Sequence, residues 1–308
     1  MDPIRIAVVG MGKIARDQHL PAIAGNAAFS LAATVSPHDA GLAGVPHFKT
    51  LDALLAQGPA VDAVALCTPP QVRYDLASMA LRRGVHTFLE KPPGATLSEV
   101  AALHDQADRA GATLFAAWHS RFASGVAPAR AWLAERVVIS VKIIWREDVR
   151  VWHPGQDWIW QSGGMGVFDP GINALSIATH ILPRPFFLKA ATLAIPANRA
   201  APIAADLSFT DTTGAPIHMD LDWRQTGPQS WDIIVETDAG QLKLSNGGAV
   251  LTLPSETQHD EDHEYPSLYA RFCTLIRSGR SDVDVAPLRL VADAFLRGHR
   301  DTTEAFID

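Results

Sequence analysis

Short apolar runs alternate with stretches of helical spacing over the first 120 or so residues. Ile4–Val9 is apolar and ends in Gly10, and Lys13–Ile23 then carries Ile14, Leu20 and Ile23 at roughly helical intervals. Leu31–Val35 and Val61–Cys67 read as further strands, the second stopped by Thr68-Pro69-Pro70. Val72–Arg83 places Val72, Leu76 and Met79 on one helical face, and Val85–Leu89 is apolar again. Thr96-Leu97-Ser98-Glu99 has the form of a capping box, whose hydroxyl and carboxylate satisfy free amides at a helix start. The helix it opens runs to about Arg109, Gly111 stops it, and Thr113–Trp118 is the next strand. Strands separated by helices pair in parallel through crossovers, so residues 1–122 are expected to form a doubly wound α/β domain of the dinucleotide-binding type.

After Phe122 the rhythm changes. Val126–Arg136 predicts a short helix and Val137–Trp145 a long strand. Ala190–Ile195, Ala204–Phe209, Ile217–Trp223, Trp231–Thr237, Gly240–Leu244 and Ala249–Leu253 then follow with turn residues between them. Consecutive strands of this kind make a mostly antiparallel sheet. Amphipathic stretches near Leu268–Arg277 and Pro287–Leu296 close the chain, so residues 123–308 are expected to form an α+β domain with a large open sheet.

Composition narrows the classes. The chain has 308 residues, 47% hydrophobic and 19% charged, which suits two folded domains and excludes a disordered chain. A net charge of -7 argues against nucleic acid as a partner. No apolar stretch approaches the roughly 18 residues of a membrane helix, and Met1-Asp2-Pro3-Ile4-Arg5 leads straight into a strand, which leaves no room for a signal peptide. The expected compartment is the cytoplasm. Cys67, within an apolar run, reads as a buried free thiol, and Cys273 is the other cysteine. His259-Asp260-Glu261-Asp262-His263-Glu264 lacks coordination spacing and reads as a solvated loop, so no metal is expected.

Gly10-Met11-Gly12-Lys13-Ile14-Ala15 fits G-x-G-x-x-A between a strand and a helix. The first glycine permits the tight turn, the second lets backbone approach a diphosphate, and the small third residue lets helix and strand pack. The free amides at the helix start, around Gly12, Lys13 and Ile14, would hold the phosphates. Where a carboxylate would take the ribose hydroxyls of NAD, the chain has Ser36-Pro37-His38, and the first acid is Asp39. Ser36 and His38 can donate to a 2′-phosphate, so NADP is the expected cofactor, with NAD tolerated.

Glu90-Lys91-Pro92 puts a lysine at the carboxyl end of a strand, where parallel sheets build their sites. By position alone Lys91 is equally an ordinary surface lysine. Gly163-Gly164-Met165-Gly166-Val167-Phe168-Asp169-Pro170-Gly171-Ile172-Asn173 holds a second candidate. With a helix starting near Pro170, Asp169 is either its N-cap or an acid–base group, and Asn173 lies four residues on, near the same face. The glycines before it are expected to lie close to a cofactor or sugar. Trp145, Trp152, Trp158 and Trp160 put four of the eight tryptophans into sixteen residues, either as a core or as platforms for a sugar ring. Glu147 and His153 beside them can bond sugar hydroxyls, and His119, at another strand end, has a similar claim.

Together Glu90-Lys91-Pro92, the Gly10/Gly12/Ala15 pattern and the run from Gly163 to Asn173 resemble the glucose–fructose oxidoreductase/inositol dehydrogenase family over essentially the whole chain. That resemblance implies a Rossmann domain joined to a sheet domain that often forms an oligomer face, with substrate between the two. It also implies that Thr68, Pro69, Glu90 and Lys91 border the cofactor. Many members carry His at the place of Asn173, and Asn is no base, so the resemblance leaves proton removal to Asp169, Lys91 or a water. Asp169, Trp118-His119-Ser120-Arg121 and Trp152-His153-Pro154-Gly155 look like its aldose 1-dehydrogenase branch. The implied reaction is NAD(P)-dependent oxidation of L-arabinose, D-galactose or D-fucose at C1. Lys91, Asp169 and Asn173 would be catalytic, and His119, Glu147, Trp152, His153 and Trp231 would contact the sugar. Other polyol or inositol oxidation, or non-catalytic NADP(H) sensing, are the alternatives. Pro70 stands where the family often has Asn.

Overall fold

The first apolar run forms strand β1 (Ile4–Val9), buried except at Arg5. The computed structural model describes residues 2–307, and among these two compact units form. One contains the residues up to Trp118 with Tyr265–Val285; the other contains His119–Glu264 and the chain from Ala286 onward.

In the first unit, β1 is joined by β2 (Phe29–Val35), β3 (His47–Phe48), β4 (Ala63–Leu66), β5 (His86–Glu90) and β6 (Leu114–Ala117). The order is β3-β2-β1-β4-β5-β6 and every pair is parallel. β4 and β6 are buried along their whole length, as strands covered by helices on both faces are. The order reverses between β1 and β4, so the turn at Gly10 lies at the switch point where such sheets take their ligands.

The local signals mostly act as their chemistry dictates. The Thr96/Glu99 capping box forms, and Gly111 ends that helix (Leu97–Ala110) at φ +62°. After Gly12 the helical stretch widens into a π turn, Ala15–His19, before an α segment, Leu20–Ala24; Leu20 donates to the carbonyl of Ala15, and Pro21 has no amide to continue an α ladder. On the helix Pro70–Leu81 the expected face holds in part: Leu76 and Met79 are partly buried against the core, but Val72 is not. Pro70, Arg73, Ala77, Ala80 and Leu81 are buried, while Val72 is 49% exposed. Alanines let the helix approach the sheet, and Arg73 is tolerated inside because its guanidinium donates to the carbonyls of Thr68, Glu90 and Pro92. Pro70 begins the helix, a position that needs no amide hydrogen. Cys67 is partly exposed rather than buried, and Cys273 is buried; both are free.

The helix Glu264–Ser278 supplies Tyr265, Tyr269 and Phe272 to the first unit. Phe88 of β5 stacks on Tyr269 with centroids 5.3 Å apart and meets Phe115 edge-on at 5.3 Å. The following segment runs beside β6, where Ala116 N donates to Asp282 O at 2.9 Å.

The second unit carries β7 (Val138–Arg146), β8 (Phe186–Pro196), β9 (Ala204–Asp211), β10 (Pro216–Asp222), β11 (Ser230–Thr237), β12 (Gly240–Ser245), β13 (Val250–Thr252), β14 (Thr257–His259) and β15 (His299–Thr303). Their order is β14-β13-β12-β11-β7-β10-β9-β8-β15; β7/β10 and β8/β15 pair in parallel, the rest antiparallel. β14 and β15 escape the sequence pattern because they are almost wholly polar and exposed at the two edges. Alternate residues of β10, Ile217, Met219 and Leu221, are buried. The helix Phe168–Ile181 packs so close there that a Cβ at Gly171 would lie 2.7 Å from Leu221 Cδ1. Among the described residues no helix is long and apolar enough to cross a membrane.

Phe88 is fully buried among these rings. Phe88→Ala is therefore expected to lower unfolding stability by about 3–5 kcal/mol. Urea denaturation checks this, and a loss below about 1 kcal/mol would contradict the packing described.

Candidate active site

At the switch point, Gly10 has φ +91°, and a Cβ there would lie 3.0 Å from the Cys67 carbonyl carbon and from Thr68 Cγ2. Only glycine fits this turn. At Gly12 an added Cβ meets nothing within 4 Å. Nothing there would block a diphosphate's approach to the amides of the helix start. Thr68 also presents a buried hydroxyl with no hydrogen-bond partner among the described residues. The donor set thus suits a dinucleotide. The Lys13 side chain pairs along the helix with Asp17, so what Lys13 and Ile14 offer a phosphate is backbone.

At the end of β2, Ser36 is buried and His38 exposed. Arg16, absent from the sequence reading, pairs with Asp39 at 2.5 Å. That guanidinium and the Gly41 amide hold the Asp39 carboxyl below the usual carboxylate range. The acid stays ionised beside a cation that an incoming phosphate could recruit. Arg16 follows the glycine pattern by one residue, the signal that could have found it.

Glu90 ends β5 and is buried. Oε1 lies 2.9 Å from His19 Nε2 and accepts from Tyr265 OH at 2.9 Å; Oε2 accepts from Lys91 N at 2.9 Å. His19 Nδ1 is 2.8 Å from Tyr269 OH. Glu90 therefore bears on the site through the backbone of Lys91. Arg73 clamps the same loop, and Lys91-Pro92 is a cis peptide. Burial disfavours a charge on His19, but Cys67, Tyr269 and Glu90 around it outweigh that and hold its pKa well above the usual histidine value.

In the second unit the predicted residues gather into one cluster. Glu147 is 2% exposed, and among the described residues its carboxylate accepts from Trp231 Nε1 at 2.8 Å, Trp223 Nε1 at 3.2 Å and His153 Nε2 at 3.2 Å. A carboxylate has about four acceptor sites, so one remains for a hydroxyl. The other ring nitrogen, His153 Nδ1, lies 3.7 Å from Asp169 Oδ2. Asp169 is 4% exposed. It sits inside the first turn of the helix Phe168–Ile181, whose N-cap is Val167, so it is not the N-cap that the sequence allowed. Asn173, one turn on, is the residue between Phe168 and Ala178 that is not buried. Trp152, 42% exposed, tilts against Trp231 at 4.8 Å, and Trp145 stacks behind at 6.0 Å. The tryptophans thus divide: Trp145 and Trp160 are core, Trp152 and Trp231 form a partly open shelf. His119 Nδ1 is engaged by Glu264 Oε2 at 2.5 Å.

Two of the glycines before Asp169 have a cause within the chain itself. A Cβ at Gly164 would lie 2.4 Å from Trp158 O, and one at Gly166, where φ is +54°, 2.2 Å from Pro202 O. They let the chain pass its own backbone, which requires no ligand. Residues the sequence reading missed are Arg16, His19, Arg73, Trp223, Tyr265 and Tyr269. His19 and Arg73 each looked like one polar residue on a helix; their buried partners are distant in sequence.

Residues 4–118 match the profile of an oxidoreductase family with an NAD-binding Rossmann fold. The chain is 48% identical to a galactose 1-dehydrogenase of Pseudomonas fluorescens over 100% of both chains. The crystal structure of a D-galactose-1-dehydrogenase protein from Rhizobium etli superposes with a TM-score of 0.96 at 60% identity, covering 100% of this chain and 99% of that one. A 3-ketoreductase from Actinomadura kijaniata, in complex with NADP and TDP-benzene, shares the fold at 18% identity, with a TM-score of 0.85 over 98% of this chain and 99% of its own.

A raised histidine pKa stabilises the fold fully below the unfolded value of about 6.5, and the benefit is lost as pH rises through the folded value. The stability gap between the wild type and His19→Gln should therefore narrow as pH is raised above about 6.5. Denaturant unfolding from pH 6 to about 9 checks this; a gap that stays constant or widens contradicts a charged His19.

Proposed function

This chain belongs to the glucose–fructose oxidoreductase/inositol dehydrogenase (Gfo/Idh/MocA) family, and on that premise we propose that it oxidises an aldopyranose at C1 to the aldonolactone. The sugars we assign are D-galactose, L-arabinose and D-fucose. These share configuration at C2, C3 and C4, so one pocket can read them all. The observation that carries the reading is a buried carboxylate, Asp169, one turn from the accessible Asn173 and facing His153, which shares Glu147 with Trp231 of the Trp152/Trp231 shelf. The full-length identity to two galactose 1-dehydrogenases supports the same choice.

A bound nicotinamide supplies the hydride acceptor. The chain's own residues do the rest. Asp169 takes the proton of the anomeric hydroxyl, and Asn173 orients that oxygen. Lys91 stabilises the negative charge developing on it. Trp152 and Trp231 stack on the C–H face of the ring, while His119 and the remaining acceptor site of Glu147 read hydroxyls. Gly10 and Gly12 give the diphosphate its approach, with Thr68, Pro69 and the Glu90–Lys91 loop around the nicotinamide end. Ser36 and His38, helped by Arg16, favour NADP, with NAD accepted. We place the protein in the cytoplasm, where these cofactors are abundant. Its open sheet, with Ile139 exposed and Ile144 and Ile234 half-buried, suits a homo-oligomer.

Initial rates with D-galactose, L-arabinose, D-xylose and D-glucose, each with NAD and NADP, test the assignment. The first two sugars should give the highest kcat/KM, and NADP should be the better cofactor. Absence of turnover with both D-galactose and L-arabinose would contradict the substrate assignment.

A further inference from the structure

His153 stands between two carboxylates. The buried Glu147 carboxylate accepts from two indoles through its two oxygens, and a carboxylate oxygen can only accept, so the Nε2 atom 3.2 Å from its Oε1 carries a hydrogen. A neutral imidazole with its hydrogen on Nε2 has a lone pair on Nδ1. That Nδ1 is buried, has no hydrogen-bond partner among the described residues, and faces Asp169 Oδ2 at 3.7 Å. A carboxylate oxygen and a bare Nδ1 are both acceptors, so no hydrogen bond joins the two until a proton arrives. A proton on Asp169 changes that, because the protonated carboxyl can donate to Nδ1.

We propose that His153 is a positioning residue that takes the proton onward from Asp169, with Glu147 holding the ring in the tautomer that can receive it. The inference rests on the reading that Asp169 receives the anomeric proton. As the C1 hydride leaves for the oxidised nicotinamide, the O–H bond breaks and its proton passes to the Asp169 carboxylate. The proton then moves to His153 Nδ1, which restores Asp169 as a carboxylate. The imidazolium so formed lies between two negative charges and gives its proton to solvent when the lactone departs. Per turnover, one hydride goes to the cofactor and one proton to water. Trp223 packs on the His153 ring with centroids 5.2 Å apart, and Trp231 shares Glu147, so the aromatic shelf and the proton path depend on the same carboxylate.

Two measurements test this. In sugar-free protein labelled with ¹⁵N-histidine, the His153 signals should show the hydrogen on Nε2 and a bare Nδ1, with the hydrogen leaving Nε2 in part in Glu147→Gln. A hydrogen on Nδ1 in the wild type would overturn the relay whatever the enzyme's substrate. In kinetics, His153→Gln keeps an amide donor for Glu147 but cannot carry a proton. Its kcat should fall about 10–100-fold with KM for the sugar little changed, and added imidazole should restore part of the loss. Asp169→Ala should lose more, about 10²–10⁴-fold. His153→Gln with wild-type kcat beside a crippled Asp169→Ala would overturn the relay and leave Asp169 as the base. Near-normal turnover in Asp169→Ala would remove the base itself, and the relay with it.

Discussion

Glu147 puts a carboxylate out of water, and the rings of Trp223, Trp231 and His153 must stay where they are if its oxygens are not to be left unpaired. Removing one of these donors leaves a buried acceptor without its hydrogen bond, at a cost of about 1–3 kcal/mol. That penalty makes the geometry of the second unit's site a consequence of one residue at the end of β7. Trp231 comes from β11, Trp223 from the chain just after β10, and His153 from the loop after β7; all converge on the same two oxygens. His153 then faces Asp169, and Trp231 supports the exposed Trp152.

The first unit repeats the device with Glu90. Its carboxylate is met by His19, Tyr265 and the amide of Lys91, and Arg73 ties the same loop through three carbonyls. The lysine's backbone is thereby set by groups from the helical turn after β1, from the helix after β4 and from a helix whose Tyr265 lies 175 residues beyond Glu90. Neither carboxylate needs to touch a substrate to matter. Each fixes the frame from which a neighbouring group acts.

Local chemistry made much of this visible in the sequence. The Thr96 capping box, the Gly10 turn and the parallel rhythm of the first 120 or so residues are encoded by neighbours along the chain, and they form as expected. The inner strands of the second sheet show in their alternation; β14 and β15 do not, because edge strands with no buried face leave no apolar pattern. On the helix Pro70–Leu81, Leu76 and Met79 pack on the core as their spacing suggests, but Val72 does not. Its small alanines and Arg73 face inward while Val72 faces out, and the carbonyls that Arg73 meets, on Thr68, Glu90 and Pro92, are ones a periodicity cannot see. Asp169 was legible as a functional candidate; that Gly164 and Gly166 before it serve backbone crossings at Trp158 and Pro202 follows only from folding. Glu147 and His153 were legible as polar residues among tryptophans; that they bond each other follows only from folding.

The central claim is that oxidation takes place at C1 of an aldopyranose. D-Galactose carrying deuterium at C1 tests it most directly, with the reduced cofactor and the product followed by NMR. The account predicts that the label appears at nicotinamide C4 and is absent from the product, which is the galactonolactone or the acid formed from it. Label retained at C1 beside oxidation of another ring carbon, or a reduced cofactor without deuterium, would contradict it.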